Sequence, residues 1–347
     1  MRQRVISLVS LAEFGRRFGC EVAPPPSNVV ALGWLAENGG WSCAPERNSH
    51  TRSFAERVPA TLGFLQAYVL PRLATRSFWF LLCFWDGWRE RHLFSDRYTW
   101  VPARDLDAGS EWRGAPGELP ILSATRRWVA CYAAHRGDPS AVVLPEPHYT
   151  ARSGYAAMFD DLRRSHIPWE AKEARAIFCG GDHGETSNYL PPLAPDRPHP
   201  RRYLKQIVEA AHLEVDVHLG SKIPLAQQVS RKWILDVDGF TRTWDAFAWK
   251  MRSGSVVLSA ASPWETFFTR LFEPWIHFVP IANDYSDLAE KLDWCRSHDD
   301  KCRSIARSAR QRAESVYRPE HVARVVAQQW RSLLGEGPLV SRATLAG

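Results

Sequence analysis

The chain has 347 residues, 45% hydrophobic and 24% charged, which gives enough apolar surface for real cores and excludes a disordered or low-complexity chain. Its net charge of +6, from 44 basic and 38 acidic residues, is mild and spread along the chain. That suits an anionic small ligand or an anionic membrane surface, and with no RNA- or DNA-binding motif present it argues against a nucleic-acid partner.

The chain opens with MRQRVISLVSLAEFGRRFGC, basic and then briefly apolar. Glu13 and Arg16 interrupt the apolar run and no small-residue cleavage site follows, so it makes a poor signal peptide. The expectation is a cytoplasmic protein, with room for peripheral contact at the inner face of the membrane. Residues 1–60 otherwise give no clear pattern, with loop-like stretches at APPPS and ENGGWSCAPERNS. Residues 61–75 look helical. Residues 77–85, SFWFLLCFW, are about half the length of a membrane span and read as a buried central strand ending at Asp86-Gly87. After a polar stretch at 89–118, ELPILSA (118–124) and AVVLPEP (141–147) read as short parallel strands, and 154–166 as a helix.

The second half alternates strand and helix: a strand into a glycine turn at 174–184, then a helix opened by proline with Leu204, Ile207, Val208 and Ala211 inward. LEVDVHLG and RKWILDVDG read as strands, 243–253 as a helix, SVVLS as a strand, 263–272 as a helix and IHFVPI as the last strand. Long helices at 286–317 and 319–334 follow. This alternation predicts parallel sheets built from βαβ units, whose ligands sit at the carboxyl ends of the strands. The 7 Cys have scattered spacing and no CxxC pair, so neither a disulfide framework nor a zinc site is indicated. Cys295, His298 and Cys302 read as ordinary helix residues.

Polar clusters stand at the expected strand ends. Asp86, following a dry strand, has the position of a general base. Gly180 and Gly181 allow close backbone approach to a ligand. A helix starting near Thr243 would aim free N–H groups at an anion, and Arg201, Arg202, Arg242 and Lys250 would neutralise phosphates. Each also has a structural reading: aspartates and glycines form turns and caps, arginines at helix starts are surface charges, and Glu265 in a first helical turn serves the dipole. Pattern alone supports an α/β protein with an anion-friendly cleft.

The run from KWILDVDGFTRTWDAFAWKMRSGSVVL through SPWETFF and PWIHFVP to the segment beginning DLAEKLDW resembles glycosyltransferase family 90, the capsule-associated and lipopolysaccharide-modifying enzymes related to protein O-glucosyltransferases. The resemblance implies a GT-B fold, two Rossmann-like domains with parallel sheets facing across a cleft. It implies an acceptor-side domain at 1–170, a nucleotide-sugar domain at 171–318, and a helix and tail at 319–347 returning to the first domain. It implies transfer of a glucose- or xylose-type sugar from a UDP-sugar to a hydroxyl of a glycan or lipopolysaccharide, with inversion and without metal or other cofactor. An inactive member that only binds nucleotide sugar or glycan is the alternative.

By the same resemblance Asp86 is the base, with Asp138 as second candidate. Gly180, Gly181, Arg201, Gly239, Thr241, Arg242, Thr243, Asp245, Lys250 and Glu265 bind the UDP-sugar. The chain departs from the family pattern in two places. Cys179-Gly180-Gly181 stands where relatives carry Arg-Gly-Ser, and Asp245 lies near the position of a family arginine.

Overall fold

The computed structural model describes residues 6–20, 29–37, 39–45, 52–73, 77–87, 129–136, 138, 141–185, 188, 197–242 and 244–334. The chain divides into two compact units, Met1–Ala151 with Ala323–Thr344, and Arg152–Val322 with Leu345–Gly347.

The first unit contains β1 (Ile6–Leu8), α1 (Leu11–Phe18), β2 (Val29–Leu35), β3 (Gly40–Ala44), α2 (Arg52–Phe64), β4 (Phe78–Cys83), β5 (Val129–Cys131), β6 (Ala133–His135), β7 (Ala141–Val143) and α3 (Pro147–Ala151). All of its described strands except β6 form a sheet in the order β1-β3-β2-β4-β5-β7. This sheet is mixed, because β2 runs antiparallel to both β3 and β4. The cause lies in ENGGWSC, expected to be loop. Gly39 takes a left-handed φ of 61° and its N–H bonds Leu35 O at 2.9 Å, closing a tight hairpin that only an antiparallel pair accepts. β4 is buried along its whole length, as expected of SFWFLLCFW. The helix expected at 61–75 starts earlier, at Arg52, and continues through a π turn (Leu65–Val69) and a 3-10 turn (Leu70–Arg72). The strand expected at 118–124 lies outside the described residues.

The second unit contains α4 (Ala156–Arg164), β8 (Glu173–Gly180), α5 (Pro200–Ala210), β9 (Val215–Leu219), α6 (Leu225–Val229), β10 (Arg231–Asp236), α7 (Ala246–Arg252), β11 (Val256–Ala260), β12 (Trp264–Thr266), β13 (Val279–Ile281), α8 (Leu288–Ser297) and α9 (Asp299–Val316). Here the sheet is wholly parallel, in the order β13-β11-β10-β8-β9. Its core is built from Phe178, Trp233, Leu235 and Leu258 on the strands and Leu204, Leu292 and Ile305 on the helices. The fold class is α/β, as expected, with a wholly parallel sheet in this unit and a mixed, partly parallel one in the first. The last helix, α10 (Pro319–Leu333), carries Trp330, which packs edge-on against Phe80 and Phe78 with centroids at 4.7 and 5.4 Å.

Three expectations for this half are corrected. Residues 263–272 are not a helix but β12 followed by a 3-10 turn at Thr269–Leu271. Thr266 and Thr269 explain this, because each side-chain oxygen takes the other's backbone N–H, at 3.2 and 2.9 Å, and so displaces the helical bonds. The helix expected at 286–317 breaks at His298, which leaves helical geometry at φ −128° and ψ 50°. Ala211, expected inward on α5, is exposed.

Beneath this sheet Lys172 is buried, its ammonium donating to Val229 O, Ser255 Oγ (3.0 Å) and Ser253 O (3.5 Å). Burial brings its pKa from the ordinary 10.5 to about 8. The depressed folded value means that the unfolded chain holds the extra proton between those two pH values, so this residue's contribution to stability rises with pH across that window. Denaturant titrations of wild type and Lys172→Met should show the difference moving in the wild type's favour by up to about 3 kcal/mol between pH 8 and 10.5. A difference that stays flat with pH would contradict the buried-ammonium account.

Candidate active site

At the carboxyl ends of β8, β10 and β11 a buried polar network replaces the apolar core. Asp236 ends β10 and accepts from Lys250 Nζ at 2.8 Å and Ser259 Oγ at 3.4 Å. Asp238 accepts from Arg242 Nε at 2.7 Å and Ser262 Oγ at 2.5 Å. Arg242 also donates to Ser259 Oγ (3.1 Å) and Ala260 O (2.5 Å), and lies 3.7 Å from Asp236. Burial alone would push the Asp236 carboxyl up, but Lys250 and Arg242 more than offset it and hold it below the ordinary range.

Arg201 completes this cluster. It stands in the first turn of α5, donates from Nη1 to Gly181 O at 3.0 Å, and feels both Asp238 and Asp236. Its Nε is buried with no hydrogen-bond partner among the described residues. Burial pulls its pKa below the usual arginine value, against the pull of the two aspartates. Three cations against two carboxylates leave one positive charge, and Arg201 is the member with an unused donor. The backbone around it is glycine, and a side chain there would have to displace its neighbours. A Cβ on Gly239 would lie 2.8 Å from Arg201 Nη2, and one on Gly180 2.9 Å from the Phe178 ring.

Around this pocket the loops interlock. Asn188 Nδ2 donates to Gly239 O (2.7 Å) and Phe240 O (3.3 Å), while its Oδ1 accepts from Trp264 Nε1 at 2.7 Å. Asn283 Nδ2 donates to Asn188 O at 2.9 Å. His183 lies flat on Phe240, centroids 4.6 Å apart and planes 17° apart, and a Cβ on Gly181 would collide with its ring. Asp182 is gripped by Arg202 through two bonds of 2.8 Å, which hold its carboxyl near pKa 2, and by His199 at 3.3 Å.

Of the residues expected at the donor site, Gly180, Gly181, Arg201 and Gly239 come together, with Thr241 buried beside them and its carbonyl accepting from Gly239 N at 3.1 Å. Arg242 and Lys250 do not reach outward as phosphate-neutralising cations; Lys250 is buried, the Arg242 side chain is 8% exposed, and both spend their donors on Asp236, Asp238 and the β11 end. Arg202 is likewise spent on Asp182. The helix expected to start near Thr243 begins at Ala246, and Asp245 stands at its N-cap without a side-chain capping bond, its carboxylate paired to Arg152 at 3.3 Å, a poor anion receptor. Glu265 is buried in β12, not in a helix's first turn. Thr243 lies outside the described residues. Sequence reasoning missed Asn188 and Asn283, which sit in loops without a spacing signal, and Ser262, whose SPW tip marked the place but not the role.

In the first unit Asp86 follows β4, where Arg57 of α2 holds the strand tip. Its Nη1 is 3.1 Å from Asp86 Oδ1 and donates to Phe84 O at 3.0 Å, and the guanidinium lies 5.6 Å from the Trp85 ring centroid. Asp138 follows β6, its N–H bonded to His135 O at 3.1 Å. Among the described residues no group of three or more His, Cys, Asp or Glu is placed to hold a metal ion, and no helix is long and apolar enough to cross a membrane.

The family model for Glycosyl transferase family 90 matches residues 153–333, more than half of the chain and all of the network just described. The chain belongs to glycosyltransferase family 90. Human Protein O-glucosyltransferase 3 is 27% identical over 223 residues, 60% of this chain and 41% of that protein. Uncharacterized protein 035R of Invertebrate iridescent virus 3 is 33% identical over 221 residues, 56% of this chain and 19% of that protein. The chain thus spans less than half the length of these curated relatives. Among solved structures, Anabaena Alr3699/HepE in complex with UDP-glucose is similar at a TM-score of 0.31 and 14% identity, covering 52% of this chain and 46% of that one. Sucrose-phosphate synthase from Thermosynechococcus elongatus is similar at a TM-score of 0.32 and 14% identity, covering 52% of this chain and 50% of that one.

Proposed function

We propose that this family 90 member transfers a sugar from a UDP-sugar to an acceptor hydroxyl in a single, inverting displacement that uses no metal. The observation that carries the reading is the excess positive charge on Arg201, with a buried, unused N–H beside three glycines, Gly180, Gly181 and Gly239. A diphosphate supplies the missing negative charge and can approach bare backbone closely. In this reading Arg242 and Lys250 do not touch the donor. They neutralise Asp236 and Asp238, and so hold the tip that presents Arg201. His183 and Phe240 form a flat wall next to it.

On the acceptor side, Asp86 removes the proton from the attacking hydroxyl. The new bond forms between that oxygen and the anomeric carbon, the bond from the anomeric carbon to phosphate breaks, and UDP leaves with the electron pair, its charge met by Arg201. The donor sugar is of glucose or xylose type. The acceptor is a hydroxyl of a glycan or lipopolysaccharide, as in capsule and other polysaccharide biosynthesis; the human relative's name makes a protein hydroxyl the competing acceptor class.

Calorimetric titration with UDP, with and without EDTA and with AMP as control, tests the donor site. Selective UDP binding that survives EDTA is expected. Arg201→Met should weaken it by roughly 10- to 100-fold, the range for losing a charge-assisted hydrogen bond. Absence of UDP binding by the wild type overturns the reading. Binding without turnover of any UDP-sugar would favour an inactive, nucleotide-sugar-binding member.

A further inference from the structure

A second site stands at the other end of the parallel sheet. The loop before β13 enters from the amino ends of the strands, away from the Arg201 cluster. Glu273, Pro274, Trp275 and Ile276 are all exposed there, Trp275 at 45% and Ile276 at 48%. Large apolar side chains in that state are rare among the described residues of this chain.

The loop is rigid. Trp275 N donates to Phe278 O at 2.7 Å, His277 N to Glu273 O at 2.9 Å, and Glu273 N to His277 Nδ1 at 3.0 Å. This closure holds Trp275 at φ 64°, a left-handed backbone that glycine or asparagine would adopt more readily. A strained tryptophan held out to solvent is a poor structural solution and a good recognition element. The indole packs edge-on against Trp294 of α8, centroids 5.0 Å apart, and Trp294 in turn stacks on His298 at 4.8 Å and 12°. A short aromatic ladder therefore runs across the surface.

Charge decides what the ladder fits. Lys291 and Arg296 are its cations, and both are already paired: Lys291 with Glu290 at 2.9 Å and Asp287 at 3.6 Å, Arg296 with Asp293 at 2.6 Å and Glu214 at 3.1 Å. With Glu273 on the loop itself, carboxylates outnumber cations. Such a fringe repels an anionic membrane or a nucleic acid. Lys291 Nζ lies over the Trp275 ring, 5.9 Å from its centroid, so a sugar ring would take the opposite face; the fringe offers hydrogen-bond acceptors, and some donors, around that face, which is electron-rich and attracts the weakly positive C–H edges of a sugar ring. We infer that Trp275, with Trp294 and the charged fringe of α8, forms a non-catalytic platform for a neutral glycan chain. The inference does not depend on the transfer chemistry proposed above.

The test is affinity electrophoresis of the full chain in gels containing laminarin, dextran or galactomannan, followed by saturation-transfer NMR with a short oligosaccharide of the retarding polymer, in the presence of saturating UDP. Retardation by at least one neutral polymer is expected. Trp275→Ala should weaken it by roughly tenfold, the upper range for one aromatic contact, and Trp275→Phe less. Trp275→Gly accepts the left-handed backbone without strain, so it reports binding in a chain whose folding is not at risk; it should lose binding as Trp275→Ala does. UDP affinity should not change in any variant. No retardation by any of the polymers, or retardation that survives both Trp275→Ala and Trp275→Gly, overturns the inference. So does a Trp275-dependent association with anionic or zwitterionic vesicles without glycan binding, or a Trp275-dependent change of oligomeric state, because each names a different occupant for the ladder.

Discussion

Asp86→Asn should reduce sugar transfer by about 10²–10⁴, the usual contribution of a positioned base, while leaving UDP affinity within twofold of wild type. The amide is isosteric and still accepts from Arg57, so the β4 tip keeps its shape. What it loses is the ability to take a proton. The separation of effects is the diagnostic part, because Asp86 and Arg201 belong to different units and the bond and charges given above for Arg201 come from the second unit. The measurement pairs UDP release in the presence of acceptor with calorimetry of UDP binding. Near-normal transfer by Asp86→Asn would remove Asp86 from the mechanism and move attention to Asp138. A parallel loss of UDP affinity would mean that Asp86 acts on the donor rather than on the acceptor proton.

Asp236→Asn should cost about 3–5 kcal/mol of stability, the range for leaving a buried charge without its partner. Lys250 and Asp236 are both buried and 2.8 Å apart, and Arg242 lies 3.7 Å from the same carboxylate. Neutralising Asp236 leaves three cations facing Asp238 alone. Against a typical total of 5–15 kcal/mol, this is enough to unfold the second unit at moderate denaturant. Chemical denaturation of the single variant, and of Asp236→Asn with Lys250→Met, checks the cause. The double variant should recover part of the loss, because it removes the stranded ammonium as well as its partner. A single variant within about 1 kcal/mol of wild type would mean that the network is wetter and less coupled than its geometry implies.

The second unit was legible in the sequence because its strands announce themselves. WILD, SVVLS and IFCGG are short apolar runs closed by turn residues, and every one became a parallel strand. The failures share a cause: local hydrogen bonds to backbone groups that no periodicity records. Thr266 and Thr269 dissolved an expected helix, and the Gly39 turn made a strand of an expected loop. At the site, sequence identified which residue types gather at the strand ends but not which way they point. Arg242 and Arg201 look alike on paper. One is an internal counter-ion and the other has a donor to spare, and only the positions of Asp238 and Gly181 separate them. Asn188 ties together three loops distant in sequence, which no local pattern encodes.

Trp330 sets the order in which the chain can mature. It is completely buried, and the rings it touches, Phe78 and Phe80, lie some 250 residues earlier on β4. The first unit is thus discontinuous, completed only by residues from Ala323 onward. During synthesis the amino-terminal half emerges first and finishes last, waiting with an unfilled slot on its central strand. The later unit has a sheet closed within residues 173–281 and can reach its native core beforehand. A fragment ending at residue 322 should therefore retain the second unit and lose the first, and limited proteolysis of such a fragment should leave residues 152–322 as the resistant remnant.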